Sequence, residues 1–335
     1  MRLIYPDRTV TDPLLSVRDL RILFDTDAGQ ALAVDGLSFD VHAGEAVGLV
    51  GESGCGKSVT ALSLLRLVPE PPGRYAGGSI LLRGQDLLGA TERELRSVRG
   101  GEIGLVFQEP AAALDPVFTI GDQVAEGVRA HAPVTRREAR SRAVELLDSV
   151  GLEDAARRAR DYPHQLSGGM RQRAMIAVAL AGDPALVVAD EPTTALDVTL
   201  VAQILGLLET IRHERGTALL LVSHDLDVVA SRVDRVLVMY AGRLVEEAPA
   251  DQLFQRAAHP YTRGLLASRP RLSAGRGGRL PTIPGRPPDP AAHPPGCRFH
   301  PRCEHAIDRC RTEVPELRPG GESGRAACHR LGELP

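Results

Sequence analysis

GESGCGKSV, residues 51–59, lies between the apolar run AVGLV (46–50) and the segment TALSLL (60–65). Three glycines, a lysine and a serine therefore fall in one bend between strand-like and helix-like sequence. The stretch fits G-x-x-x-x-G-K-[ST], with Gly51, Gly56, Lys57 and Ser58 in the specified places. Glycine lets a backbone curl around an anion with no Cβ in the way. The N–H groups freed along Glu52, Ser53, Gly54, Cys55 and Val59, with the start of the next helix, then face phosphate oxygens. Lys57 reaches the β- and γ-phosphates, and the Ser58 hydroxyl is placed to hold Mg2+. The loop predicts a nucleoside triphosphate as ligand and leaves open what its energy is used for.

At 335 residues, 43% hydrophobic and 25% charged, the chain has the make-up of a soluble globular protein of one to three domains. Its formal net charge of -3 and lack of like-charge runs give no sign of a nucleic-acid partner. AMIAVALA (174–181), one of its longest apolar stretches, is far short of the ~20 residues that span a bilayer. MRLIYPDRTVTDP lacks the order of a secretory signal, so the expected place is the cytosol, with any membrane span supplied by other subunits.

LLSVRDLRILF (14–24), ALAVDGLSFDV (31–41) and GGSILLRGQDL (77–87) read as strands. From about 122 to 182 apolar residues recur at i, i+3 and i+4, as in REARSRAVELLDSVGL (137–152), which predicts helices. LVVAD (186–190), TALLLVS (217–223) and RVLVMYAG (235–242) are β-rich runs between helix-like segments, the pattern of a parallel sheet with helices on its faces. RLPTIPGRPPDPAAHPPG (279–296) is too rich in proline for helix or central strand and reads as an extended linker.

Four further stretches bear on the nucleotide. LVVADEP puts Asp190 at a strand end, where it can hold the Mg2+ shell, and Glu191 beside it, placed to polarise an attacking water. FQEP offers the Gln108 amide to water, metal and a neighbouring domain. LVSHD offers His224 to the γ-phosphate. LSGGMRQR (166–173) opens a second helix on Ser167, Gly168 and Gly169, a second anion-binding tip in a chain that already has one. One nucleotide between two such sites suggests two chains with ATP between them.

GESGCGKS, FQEP, LSGGMRQR, LVVADEP, TTALD and LVSHD, in that order, resemble the ATP-binding subunit of an ABC transporter over roughly residues 12–255. The resemblance implies an α/β fold: a P-loop NTPase (RecA-like) core with an antiparallel β-subdomain (12–108 and 183–255), interrupted by a helical subdomain (109–182). It implies that Ser167, Gly168 and Gly169 face the partner's γ-phosphate, that Asp197 lies in the loop coupling the two sites, and that Gln108 sits at the hinge as a Mg2+ contact. An aromatic ring upstream of the loop, here Phe24, would stack on adenine. ATP binding then closes the dimer and hydrolysis reopens it.

Cys55 lies inside the phosphate loop as a small filler. Cys297, Cys303, Cys310 and Cys328 are spaced C-x5-C-x6-C-x17-C near the end of the chain. Disulfides do not suit a reducing compartment, and the close pairs of a structural zinc site are absent. An iron–sulfur cluster, zinc and free thiols all remain open on the chemistry. HPYTRGLLASRP, RLPTIPGRPPDP and GCRFHPRCEHAIDRC, however, resemble the C-terminal extension (256–335) of oligopeptide and dipeptide importer ATPases. That resemblance implies a [4Fe–4S] cluster on the four cysteines. It also implies a D-type subunit paired with a sister ATPase on two membrane permeases, at the cytoplasmic face of the membrane, with an extracytoplasmic substrate-binding protein delivering cargo. Nickel, glutathione or another small solute are the alternative cargoes. A non-transport ATPase of this type would carry a coiled coil or a second cassette, and neither is present.

Overall fold

The computed structural model describes residues 12–27, 29–194, 196–269, 281–320 and 324–334. The expectation about the N-terminus before residue 12, Ala195 of TTALD and residues 279–280 of the proline-rich run lie outside them. β1 (Leu15–Thr26) and β2 (Gly29–Val41) pair antiparallel, with Val17 opposite Phe39. β3 (Ala46–Val50) then runs into the glycine-rich bend. β4 (Gly73–Leu82) joins the other side of β1, and a turn at Arg83-Gly84 returns the chain as β5 (Gln85–Asp86). The expected strands before and after the bend thus share one antiparallel sheet, ordered β2-β1-β4-β5.

β6 (Ile103–Val106), β7 (Leu186–Asp190), β8 (Ala218–Ser223) and β9 (Arg235–Tyr240) form, with β3, the parallel centre of a second sheet. Every residue of β3, β7 and β8 is buried, as strands covered on both faces require. Side chains alternate across that sheet. Val47, Leu49, Leu220, Val222 and Leu237 enter a core shared with β1, β2 and β4. Leu219, Leu221, Val236 and Val238 enter the opposite core, shared with helices. Burying each leucine contributes about 2 kcal/mol, so both faces are needed to hold the strands in place.

α1 (Lys57–Ser63) follows the bend and buries Ala61 in the first core. α2 (Glu92–Val98) starts on a Thr91–Glu94 capping box. The stretch expected to be helical contains α3 (Pro110–Ala113), α4 (Ile120–His131), α5 (Arg136–Ser149), α6 (Ala155–Arg158) and α7 (Gly168–Ala179). Thr119 caps α4, Thr135 and Glu138 form a capping box on α5, and Ser167 caps α7, each satisfying backbone donors with no partner inside the helix. α8 (Val198–Arg215) and α9 (Leu226–Ala230) flank β8.

The C-terminal part adds strands to the central sheet. β10 (Arg243–Pro249) pairs antiparallel with β9, and α10 (Ala250–Arg256), α11 (Pro260–Ala267) and α12 (Asp308–Thr312) follow. β11 (Arg318–Pro319) and β12 (Arg325–Ala326) then form a short hairpin, and β12 pairs with β10. The central sheet becomes eight-stranded among the described residues, in the order β11-β12-β10-β9-β3-β8-β7-β6. Over its described residues the proline-rich run forms neither helix nor strand, and it lies against β2, where Leu32 N–H donates to the Pro290 carbonyl at 2.9 Å. Among the described residues no helix is long and apolar enough to cross a membrane.

Candidate nucleotide site

The bend after β3 is locally forced. Gly56 caps α1 with φ 105°, and a Cβ there would lie 2.4 Å from the Ala33 carbonyl oxygen. Only glycine accepts both the positive φ and the close approach of β2. Lys57 is buried, and its Nζ donates to the Gly51 carbonyl at 2.9 Å and the Glu52 carbonyl at 3.2 Å. The cation is thus held by the loop's own carbonyls, placed to exchange them for phosphate oxygens. Cys55 is buried, and burial raises its thiol pKa, in keeping with a filler role. Ser53 and Gly54 are exposed at the loop tip, and Ser58 and Val59 are half-buried where α1 begins.

β7 ends at the loop. Ser58 Oγ donates to Asp190 Oδ1 at 3.0 Å. Asp190 is buried, and desolvation raises its carboxyl pKa despite that hydrogen bond. A buried carboxylate and a hydroxyl form the hard oxygen set that Mg2+ takes together with water and substrate phosphates, so these two residues fit the ion. Glu191 follows with φ 46°, an uncommon conformation for a residue with a side chain and one found at functional sites. Its Oε2 collects three partners: Gln108 Nε2 at 3.3 Å, Thr194 Oγ1 at 3.0 Å and His224 Nδ1 at 3.1 Å. Sequence reasoning named Glu191, Gln108 and His224 separately. The structure joins them on one oxygen and adds Thr194, a residue of TTALD to which the sequence had assigned no role.

The other expected residues lie apart from this group. Ser167 and Gly168 are exposed at the tip of α7, and Ser167 Oγ accepts from Met170 N–H at 3.4 Å. A Cβ on Gly168 would meet nothing within 4 Å, whereas Gly169 packs on Leu200. Asp197 caps α8 by accepting from Leu200 N–H at 3.0 Å. Phe24 sits half-buried on β1, its ring edge 3.1 Å from where a Cβ on Gly73 would stand. Leu32 and Ala33 of β2 line the small cavity beside Ser53, Gly54 and Cys55.

The C-terminal segment also reaches the loop. Glu52 N–H donates to Tyr261 Oη at 2.8 Å, and the Arg302 guanidinium grips the Glu52 carboxylate at 2.6 and 3.0 Å. Tyr240, Tyr261 and Phe299 pack behind these contacts in tilted and edge-to-face pairs, with ring centroids 4.6 to 5.4 Å apart. Nothing but the HPY triplet at 259–261, read only as a family mark, pointed to this connection.

Cys297, Cys303, Cys310 and Cys328 lie within electrostatic reach of one another. Burial pushes the Cys297 thiol up to about 11 and raises Cys303 and Cys328 as well, so these three are protonated at neutral pH. Among the described residues no group of three or more Cys, His, Asp or Glu is arranged to hold a metal ion. The four cysteines expected to carry a [4Fe–4S] cluster are thus neighbours, Cys310 buried and the other three half-buried, without the arrangement of a metal-ligand set.

Two family models match the chain: ABC transporter over residues 34–194, and oligopeptide/dipeptide transporter, C-terminal region, over residues 245–310. A putative peptide import ATP-binding protein of Brucella ovis is 50% identical over 332 residues, covering 96% of this chain and 98% of the relative. A probable peptide ABC transporter ATP-binding protein of Sinorhizobium fredii is 50% identical over 326 residues, covering 96% of each. Among solved structures, a dimeric ATP-binding cassette in a post-hydrolysis state, bound to ADP and phosphate, aligns with TM-score 0.64 at 28% identity, covering 70% of this chain and 98% of that one. A cassette from Clostridium perfringens, part of an ABC transporter complex, aligns with TM-score 0.63 at 26% identity, covering 73% of this chain and 92% of that one. The glycine-rich bend before α1, the acidic pair at the end of β7 and the likeness along nearly the whole length agree: the chain belongs to the ATP-hydrolysing subunits of the ABC transporter family.

Proposed function

We propose that the chain powers a membrane importer of oligopeptides or dipeptides. The observation that carries the cargo class is the C-terminal region at 245–310, matched to oligopeptide and dipeptide transporters, within relatives named for peptide import. Glu191 serves as the base that takes a proton from the attacking water, oriented by Gln108, Thr194 and His224. Lys57 and the N–H groups of Gly51–Val59 bind the phosphates, while Ser58 and Asp190 hold Mg2+, which supplies charge neutralisation to the phosphoryl group. Phe24 and the cavity wall at Leu32 and Ala33 are assigned to the nucleoside.

The active form is a dimer. Support comes from the free SGG tip at Ser167–Gly169 and the open face at Asp197 and Val198, where Val198 is 86% exposed. These groups have no phosphate to meet in their own chain and would complete the site of a sister ATPase. The working units are 12–108, 109–182, 183–255 and 256–335. Permease docking is assigned to the groove between α4 and α5, lined by Phe118, Asp122, Arg129 and Arg140. The exposure of Phe118 in this groove, and of Phe107 and Val117 near it, supports a docking role at the cytoplasmic face of a membrane; two permeases and an extracytoplasmic binding protein belong to the same reading. The finer reading of the tail, a [4Fe–4S] cluster on Cys297, Cys303, Cys310 and Cys328, rests on the family resemblance and on the proximity of the thiols. Iron content and visible absorption of anaerobically purified protein test it, and their absence removes it.

The test of function is uptake. The chain is reconstituted in proteoliposomes with candidate permeases and a binding protein from its own organism. ATP-dependent accumulation of labelled oligopeptides is expected. Accumulation of nickel or glutathione in their place would transfer the assignment to those cargoes.

A further inference from the structure

Glu52 is held from three directions, and the C-terminal segment supplies two of them. Its N–H donates to Tyr261 Oη at 2.8 Å, its carbonyl accepts from Lys57 Nζ at 3.2 Å, and its carboxylate takes both Arg302 terminal nitrogens at 2.6 and 3.0 Å. Arg302 comes from 250 residues further along the chain. It is buried, donates through Nε to the Pro284 carbonyl at 2.8 Å and packs against the Tyr240 ring. Tyr261 is fully buried. Both partners are rigidly framed, and a fork-on-fork pair of this kind sets direction as well as charge.

The chemistry of the position makes the contact consequential. Glu52 is an acid in the second place of a loop whose task is to hold a polyanion. Left alone, its carboxylate opposes the triphosphate. Paired with Arg302, it is neutralised on the side away from solvent. Its backbone also carries one of the two carbonyls on which Lys57 rests, so the setting of Glu52 helps to define where the lysine starts.

We propose that Arg302 and Tyr261 are positioning residues for the phosphate loop: the C-terminal segment clamps Glu52, cancels its charge and holds the loop ready for ATP. The proposal rests on the reading of residues 51–59 as the ATP loop. It makes tight nucleotide binding depend on a docked C-terminal segment, whatever that segment binds elsewhere.

The alternative is that Arg302 merely fastens the C-terminal segment. Calorimetric titration of the full-length chain with Mg·ATP separates the two, with thermal melting as a check on folding. Arg302→Gln should weaken ATP affinity about tenfold, as expected for an uncompensated charge near the phosphates at an effective dielectric of ~20. The loss should shrink in high salt, which screens that repulsion. Arg302→Lys should retain most of the affinity. Adding Glu52→Gln to Arg302→Gln removes the stranded charge with little change of shape and should restore binding to within about threefold of the parent. Unchanged affinity in Arg302→Gln, or weak binding that Glu52→Gln leaves unrepaired, overturns the clamp. Lys57→Ala serves as the separate control: undiminished ATP binding in that variant would overturn the loop reading itself.

Discussion

Ser58 Oγ donates to Asp190 Oδ1 across 3.0 Å, joining the phosphate loop to the end of β7 over 132 residues of sequence. The contact brings a hydroxyl and a carboxylate together, and it holds the carboxylate where water is largely excluded. Burial raises the Asp190 pKa. The folded state therefore binds this proton more tightly than the unfolded chain does. The associated stability is present at low pH and is lost as pH rises through the folded-state value.

Asp190→Asn removes that loss. The nucleotide-free protein should melt about 2–4 °C higher at pH 7.5, with the difference fading toward pH 4. Mg2+-dependent hydrolysis should fall at least ~100-fold. Calorimetric scans at several pH values and a phosphate-release assay check the two halves.

Glu191→Gln keeps the shape of the group at which Gln108, Thr194 and His224 meet, and removes its basicity. Phosphate release should drop by roughly 100- to 10,000-fold while ATP binding is retained. Full turnover in this variant, with partner subunits present, would refute the assignment of the base.

His259 caps α11 by accepting from Tyr261 N–H at 3.0 Å through Nδ1, and burial lowers its pKa to about 3. Between pH 6.5 and 3 the unfolded segment takes up a proton that the folded ring refuses. Local stability should therefore fall by about 1.4 kcal/mol per pH unit as the solution is acidified below 6.5. Hydrogen exchange across α11 would show this slope, and His259→Asn, which can still cap the helix, should flatten it.

Phe118 is 54% exposed beside the α4–α5 groove, a cost to solubility with no return inside this chain. Phe118→Ala should leave ATP binding and melting temperature within experimental scatter. It should reduce recovery of the assembled transporter several-fold, as removal of an interface anchor does. Co-purification with the permeases measures it.

Much of this was readable from residue order. AVGLV and the four apolar residues before Asp190 in LVVAD announce buried strands because no polar position interrupts them. The bend at Gly56 and the nearness of Ser58 to Asp190 were legible because the loop pattern restricts both residue type and local backbone. The convergence of Gln108, Thr194 and His224 on one Glu191 oxygen was not legible, since it depends on how three strand ends register. Nor was the Arg302–Glu52 grip: an arginine among many carries no local sign of a partner 250 residues away. The C-terminal hairpin was missed for a related reason, because its two-residue strands are too short to show alternation.

That hairpin has a practical corollary. With Ala326 and Arg325 set beside Glu246 and Glu247, β12 occupies the rim of β10 that would otherwise offer unpaired amides to any passing chain. A shortened protein halted near residue 269, attractive as a minimal cassette, would bare that rim and should precipitate by edge-to-edge strand pairing, besides losing the Arg302 grip on Glu52.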